Sequence, residues 1–227
     1  MPKLKIQTGA DNEILRTRSA EVKNMTAKTP RLGLRLGELA KGMKKVLNDQ
    51  KGLGLAAPQV GENVRVILVR MNSGSDHEMI FVMVNPEIIE RSWEGMKVTG
   101  KVKKSGGVVG MVGSSEIGNL GKKLEEGSGA HGATEVALGA GVAEEGCLSL
   151  PGYYVNVIRA SEITVRFLDG KGLLKGSVSG LGSGGRVAGG GHGGVPMLLE
   201  LSGLNARVVQ HEVDHLNGVL ICDIVSE

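Results

Sequence analysis

Aromatic residues and cysteines are scarce in this sequence. It contains two Phe, two Tyr and one Trp in 227 residues, so Val, Leu, Ile and Met must fill most of its core. Its two cysteines, Cys147 and Cys222, are too few for the disulfide framework of a small secreted protein. We therefore expect a reduced, intracellular protein, with the cytoplasm as its location.

Long apolar runs and an excess of one charge are also absent. No stretch approaches the roughly eighteen apolar residues that cross a bilayer, and the N-terminal residues lack the apolar segment of a secretory signal. The 27 basic and 24 acidic residues nearly cancel, which argues against a dedicated nucleic-acid-binding protein. We expect no association with a membrane.

Glycine, by contrast, is abundant and unevenly distributed. Residues 92–144 hold 13 Gly in 53 positions, and residues 171–197 hold 11 Gly in 27. Neither segment has the three-residue Gly period of collagen, and structureless segments of this length are unusual inside a compact domain. We interpret the chain as one domain over residues 1–227, with insertions at about 92–143 and 171–197.

Apolar residues spaced by three and four positions predict a first helix. Thr29 and Pro30 are suited to its N-cap and first helical positions, and it should end near Asp49. The GLGLAAPQVG stretch that follows is expected to be a turn entering a strand. The apolar face of the helix comprises Leu32, Leu36, Leu39, Met43 and Val46.

Short apolar runs between turn signals predict several strands. Asn72, Ser73, Gly74 and Ser75 should form the turn between the first two. The expected strands are residues 64–70, 79–84, 87–90, 163–167 and 197–201.

A second helix is predicted from Ser202, as N-cap, to about Leu216, because Asn217 and Gly218 form a good C-terminal stop. A helix that is apolar on nearly every side is expected to be buried. Its apolar residues are Leu204, Ala206, Val208, Val209, Val213 and Leu216.

This second helix carries an H-E-x-x-H motif. His211 and His215 are four residues apart, so their imidazoles share one face and can bind one metal ion. Glu212 lies between them and can hold a proton beside a water that the metal activates. The alternative, a histidine pair that only packs, would bury two imidazoles and a carboxylate without partners, which is costly.

A catalytic metal site with two histidines needs a third protein ligand. Cys147, in the turn-like segment EGCLSLPG, is the best placed, because a thiolate on a rigid loop is a natural ligand. His77, His131 and His192 lie in a hairpin turn or in the Gly-rich segments and are less suitable. Cys222 is expected to be a small buried hydrophobic residue.

Three segments together resemble the peptide deformylase family. They are GLGLAAPQ at residues 52–59, EGCLS at residues 145–149 and QHEVDH at residues 210–215. The resemblance implies an α+β fold in which antiparallel sheets pack around a buried metal-binding helix. It also implies a metal-dependent hydrolase that removes the formyl group from the N-terminal formyl-methionine of newly made polypeptides.

The resemblance also implies roles for individual residues. Glu212 would be the general acid and base, and Gln59 with the backbone N–H of Leu148 would form the oxyanion hole. Glu145 and Arg159 commonly pair in this family, which would fix the loop that carries the cysteine. The metal ligands would be Cys147, His211 and His215.

Two further pairs of residues are candidates for substrate binding. Gly52 and Gly54 let the backbone approach an extended peptide closely, as in edge-strand recognition. Leu204 and Val208 lie one helical turn apart beside His211 and are candidates to line the pocket for the substrate methionine.

We expect one divalent metal ion per chain and a nascent formyl-methionyl polypeptide as partner. Thiolate and imidazole ligands accept Zn²⁺, Fe²⁺, Ni²⁺ or Co²⁺, and the resemblance favours Fe²⁺ in the cell. The ribosome is a candidate second partner, because Lys171, Lys175 and Arg186 make the second Gly-rich segment basic. The alternative is that both segments are solvated loops without a role.

Two other functions stay open. A zincin-like metallopeptidase shares the helix motif, although a Cys ligand argues against it. A non-catalytic, metal-stabilised binding module would need a fourth ligand, which is not evident in the sequence, and it gives Glu212 no purpose.

Overall fold

The computed structural model describes residues 3–93, 96–98, 141–170, 173–174 and 196–224. Most of the two predicted insertions lies outside these residues, so the insertions and the single-domain organisation stay predictions. In the described part of the chain the helices are α1 (Glu13–Arg16), α2 (Leu36–Asp49) and α3 (Gly203–Leu216), and short 3₁₀ turns lie at Ala57–Val60 and Ile221–Asp223. The strands are β1 (Gly54–Ala56), β2 (Val66–Met71), β3 (Met79–Trp93), β4 (Met96–Val98), β5 (Val142–Cys147), β6 (Leu150–Ile158), β7 (Glu162–Asp169) and β8 (Pro196–Ser202).

An antiparallel sheet in the order β1-β2-β3-β7-β8 forms the centre of the fold, with β4 paired to β3. β5 and β6 form a separate two-stranded antiparallel sheet. β2 and β3 make the predicted hairpin, in which Met71 faces Met79. The strand predicted at residues 87–90 is continuous with β3, whose register shifts after Val84 and after Ile88. The predicted α+β fold with antiparallel sheets is confirmed.

The large sheet carries a helix on each face. Val66 and Leu68 of β2 pack in the same core cluster as α2, whereas Ile67 and Val69 pack in the cluster that contains α3. Side chains alternate across a strand, so β2 is buried on both faces. Full burial of each such side chain contributes about 1.5–3 kcal/mol, which explains how a chain poor in aromatics holds its core together.

Helix α3 begins and ends where the sequence predicts. Ser202 is its N-cap in extended conformation, and the helix ends at the C-cap Asn217. Gly218 then turns with φ +77°, and a Cβ there would lie 2.3 Å from the carbonyl oxygen of Arg16. Glycine is therefore required at this stop. None of the helices in the described ranges is long and apolar enough to cross a membrane.

Helix α2 begins later than predicted. It starts at Leu36, not Pro30, because residues 29–34 close a loop in which the Thr29 N–H donates to the Leu34 carbonyl oxygen at 2.8 Å. The fully buried Glu62 carboxylate accepts the N–H of Leu32 at 2.8 Å, which holds this loop away from helical geometry. Leu32 accordingly lies outside the buried face of α2, although the rest of that predicted face is correct.

The prediction that Cys222 is a buried hydrophobic residue is wrong. Cys222 is half-buried, and its Sγ lies 3.7 Å from Arg16 Nη2 and 3.7 Å from Asp223 Oδ1. The reason is the 3₁₀ turn at Ile221–Asp223, which directs Ile221 into the core and leaves the next side chain among charged groups at the surface.

Candidate metal centre

The two motif histidines lie together on α3. Their spacing of four residues puts both rings on one face, with ring centroids 5.0 Å apart. His215 is buried, and His211 is only slightly exposed. The helix lies this deep because its apolar residues pack in the same core cluster as the large sheet, and the two histidines are carried into the interior with them.

Cys147 meets the histidines from the two-stranded sheet. It is the last residue of β5, at the turn into β6, and its Sγ lies 3.2 Å from His215 Nε2. One ligand atom each from Cys147, His211 and His215 lie within 4.8 Å of one another. Bonds of about 2.0–2.3 Å are typical for such ligands, so small side-chain adjustments let a single ion bind all three. A soft thiolate with two imidazoles suits a divalent transition metal.

Glu145 contacts one ring nitrogen of His211 and leaves the other one for the ligand cluster. Its Oε2 lies 2.9 Å from His211 Nδ1, which leaves Nε2 of that ring for the thiolate side of the cluster. Arg159 donates to the same carboxylate at 3.0 Å and 2.9 Å and also pairs with Asp214. Burial opposes ionisation of Glu145, but hydrogen bonds from His211 and Arg159 outweigh it and hold the pKa of this carboxyl well below its usual range.

Glu212 has a different environment from Glu145. Its carboxylate is buried, and its Oε2 has no hydrogen-bond partner among the residues that the structure describes. Burial raises the pKa of Glu212 to about 7, because desolvation penalises the charged form. A carboxyl with a pKa near neutrality, next to a metal site, is suited to take up and release a proton.

Gln59 and Leu148 lie next to the thiol. The side-chain Oε1 of Gln59 accepts the N–H of Ala56 at 2.8 Å, which turns its Nε2 toward the Cys147 Sγ, 3.7 Å away. Leu148 follows Cys147 directly, and the N–H of Ser149 lies 3.4 Å from the same sulfur. The predicted oxyanion-hole residues are thus near the ligand cluster.

Two close approaches involve the predicted glycines. A Cβ at Gly54 would lie 2.3 Å from Glu212 Oε1, so β1 passes directly over the carboxylate. A Cβ at Gly52 would lie 3.0 Å from Leu47 Cδ1, the end of a flexible side chain. Leu204 and Val208 pack in the core cluster of α3, and their role in a methionine pocket stays a prediction.

Sequence reasoning missed Arg207. This buried residue of α3 donates to Glu145 Oε1 at 2.6 Å and therefore belongs to the same network as Arg159. The available signal was an arginine in a helix predicted to be buried, since a buried arginine requires an acceptor.

Comparison with known proteins identifies the family. The polypeptide deformylase family model matches residues 4–176 and 187–227. A peptide deformylase from Halothermothrix orenii is 31% identical, with 99% of this chain and 95% of the relative covered. One from Prochlorococcus marinus (strain MIT 9515) is 29% identical, with 95% of this chain and 70% of the relative covered.

Solved structures agree with these relatives. The crystal structure of peptide deformylase from Thermotoga maritima has a TM-score of 0.60 and 25% identity, with 100% of both chains covered. A Met-Ala-Ser-bound class I type b peptide deformylase from Acinetobacter baumannii has a TM-score of 0.58 and 26% identity, with 99% of both chains covered. The predicted family and enzyme class are confirmed: this chain belongs to the polypeptide deformylase family.

Proposed function

We propose that this protein removes the formyl group from the N-terminal formyl-methionine of newly synthesised polypeptides. The observation that carries the proposal is the Cys147, His211 and His215 cluster with the buried Glu212 carboxylate beside it. Membership of the deformylase family supports the same reaction. The Acinetobacter relative was solved with Met-Ala-Ser bound, a peptide with the N-terminal methionine that such a reaction leaves.

One divalent metal ion would be held by the thiolate of Cys147 and the imidazoles of His211 and His215. When bound, it lowers the pKa of water and polarises a carbonyl oxygen, which makes amide hydrolysis feasible at neutral pH. We propose Fe²⁺ as the metal in the cell, with Zn²⁺, Ni²⁺ and Co²⁺ as alternatives that the same ligands accept.

Glu212 would move the proton during the reaction. Its carboxylate accepts a proton from the attacking water and then delivers it to the leaving amine nitrogen. A pKa of about 7 suits both steps, because neither protonation state is strongly disfavoured at neutral pH.

Gln59 and Leu148 would stabilise the developing oxyanion. The Gln59 Nε2 amide, which lies 3.7 Å from the Cys147 sulfur, and the N–H of Leu148, the next residue after Cys147, would donate to the formyl oxygen as the formyl carbon becomes tetrahedral. One such donor is typically worth about 3–4 kcal/mol of barrier in hydrolases.

The substrate peptide would lie along the Gly52–Gly54 edge. Strand β1 is the terminal strand of the large sheet, so its outer edge is suited to pairing with an extended peptide. Leu204 and Val208 are the proposed lining for the methionine side chain. The proposed setting is the cytoplasm, with the ribosome as source of the nascent chain.

Formate release from a formyl-methionyl peptide by the metal-loaded protein tests the proposal. The expected result is stoichiometric formate with wild type and a large loss with Glu212→Ala. A zincin-like metallopeptidase would cleave internal peptide bonds, and a metal-stabilised binding module would release nothing. A metal-loaded wild type that produces no formate rejects the proposed function.

A further inference from the structure

We propose that Arg207 is a positioning residue for the metal centre. It ties α3, which carries both histidines, to the β5–β6 hairpin, which carries the thiol. The inference rests on the proposed metal site and goes beyond it, because Arg207 lies outside the three sequence motifs, shortly before the last of them.

The contacts of Arg207 reach three acceptors at once. Nη1 donates to Glu145 Oε1 at 2.6 Å and to the Val157 carbonyl oxygen at 3.0 Å. Nη2 donates to the Gly141 carbonyl oxygen at 3.0 Å. The guanidinium is a planar fork with fixed donor directions, so these three bonds set both the distance and the orientation between helix and hairpin.

Glu145 transmits this placement to the metal ligands. Its Oε1 is bound by Arg207, and its Oε2 lies 2.9 Å from His211 Nδ1. A carboxylate on the second imidazole nitrogen of a ligating histidine fixes the tautomer and the ring orientation. Arg159 also binds Glu145, but it reaches the carboxylate from the end of β6. Arg159 reaches α3 through its ion pair with Asp214, whereas Arg207 is itself a residue of α3 and binds Glu145 directly.

The two backbone oxygens that Arg207 binds belong to the hairpin that carries the other ligand, Cys147. Gly141 and Val157 lie at the open end of the hairpin, where Val142 pairs with Ile158, and Cys147 lies at its closed end. The Gly141 carbonyl oxygen also accepts the N–H of Arg159 at 2.6 Å. Arg207 therefore anchors the same two strands whose turn presents the sulfur to His215.

A metal-binding comparison between two arginine variants tests this role. Arg207→Gln removes the fork, and Arg65→Gln is the matched control, because Arg65 donates to the Leu216 carbonyl oxygen at 3.2 Å at the other end of α3. Within the described residues, the hydrogen bonds of Arg65 go to Leu216, Asn217 and Pro86, and none goes to Glu145 or to a proposed ligand. Co²⁺ is titrated into the metal-free proteins, and its visible spectrum reports both affinity and ligand geometry.

The expected result is a Kd for Co²⁺ that is about 10–100-fold weaker in Arg207→Gln, with an altered spectrum, while Arg65→Gln keeps the wild-type Kd and spectrum. Arg207→Lys should fall between, since a lysine retains the charge but is a compact point donor without the planar, fixed fork of the guanidinium. If Arg207→Gln fails to fold, Arg207→Lys carries the test with the same expected direction.

A folded Arg207 variant with wild-type Kd and spectrum overturns the proposal, even if its melting temperature falls, because that result describes a purely structural residue. The outcome is separable from failure of the proposed function. Wild type that binds Co²⁺ and releases formate sustains the proposed function, whatever Arg207→Gln shows.

Discussion

Two buried glutamates lie next to the histidines of α3, Glu145 from β5 and Glu212 from α3 itself, and their environments are opposite. Glu145 accepts hydrogen bonds from two arginines and contacts His211, and its pKa is held below the usual range. Glu212 is equally buried, its Oε2 has no partner in the described part of the chain, and its pKa is raised to about 7. At neutral pH the Glu145 carboxyl is therefore ionised, whereas the Glu212 carboxyl lies near the midpoint of its titration.

The difference follows from partners rather than burial. Desolvation raises the pKa of both carboxyls, and donors reverse the outcome only at Glu145. Buried polar atoms are nearly always paired in native proteins, so Glu212 Oε2, which has no hydrogen-bond partner among the described residues, is a position where a water or substrate atom can bind. We assign Glu145 to orienting His211, and Glu212 to the proposed proton transfer.

Replacing Glu212, the proposed proton carrier, should have the largest effect on the rate of formate release. Glu212→Gln keeps the shape of the side chain but cannot accept the proton, so kcat for formate release should fall by about 10²–10⁴. Metal content, measured by elemental analysis, should equal that of wild type, because Glu212 is not a proposed ligand. Full activity in this variant would remove the distinction between the two glutamates.

Displacing the Glu212 carboxylate should lower kcat somewhat less than replacing it does. In Gly54→Ala the new Cβ would lie 2.3 Å from Glu212 Oε1, so strand or carboxylate must shift. A misplacement of about 1 Å can cost about 10²-fold in rate, and steady-state kinetics should show it in kcat.

Gly52→Ala is the matched control for kcat, and because Gly52 lies on the proposed peptide edge, any effect of this variant is expected in KM. Its Cβ would lie 3.0 Å from Leu47 Cδ1, a flexible side-chain end that can move. Similar kcat values for Gly54→Ala and Gly52→Ala would indicate that the closeness of β1 to Glu212 has no catalytic consequence.

Neutralising Glu145 should weaken metal binding more than it slows the reaction. Glu145→Gln removes the charge that holds His211, so metal affinity should fall by about 10–100-fold, as measured by competition with a chelator. Glu87→Gln, on an exposed pair with Arg166, is the control and should bind metal as wild type does. Unchanged affinity in Glu145→Gln would contradict the positioning role of this side.

The smallest expected effect concerns a charged pair away from the centre. Burial tends to raise the pKa of Asp223, but bonds from Arg16 and the Leu220 N–H lower it below its usual value. The stabilisation is therefore present above the unfolded pKa and is lost as pH falls below about 4. Since the pair is partly exposed, Asp223→Asn should cost at most about 1 kcal/mol at pH 7.

Urea unfolding at several pH values measures that cost. The wild-type advantage over Asp223→Asn should shrink toward acid pH, whereas a difference that is independent of pH would assign the effect to something other than the carboxylate charge. Asp49→Asn, in an exposed helical pair with Lys45, is the control and should change stability less.

Local patterns in the sequence predicted the elements that depend on local physics. Alternation of Ile163, Val165 and Phe167 identified β7, because all three side chains are buried on one face of a single strand. The predicted start of α2 is wrong, because a residue far away in the sequence determines where the helix begins. Thr29 has the chemistry of a cap, but Glu62 binds the following loop.

The same division applies to the site. The spacing of His211 and His215 is a local signal, and a motif in a second segment indicated Cys147. Arg207 was missed because its acceptors lie on β5 and β6 and just before them, and the pairing of α3 with that hairpin is not readable from helical periodicity. Contacts made only by the tertiary fold were thus the ones that required the structure.

The central claim is that Cys147, His211 and His215 bind one metal ion. Metal-edge X-ray absorption of the Zn²⁺-loaded protein measures this directly. The account predicts one sulfur ligand at about 2.3 Å and two imidazole nitrogens at about 2.0–2.1 Å, with the sulfur lost in Cys147→Ser. A wild-type spectrum without a sulfur ligand would contradict the account.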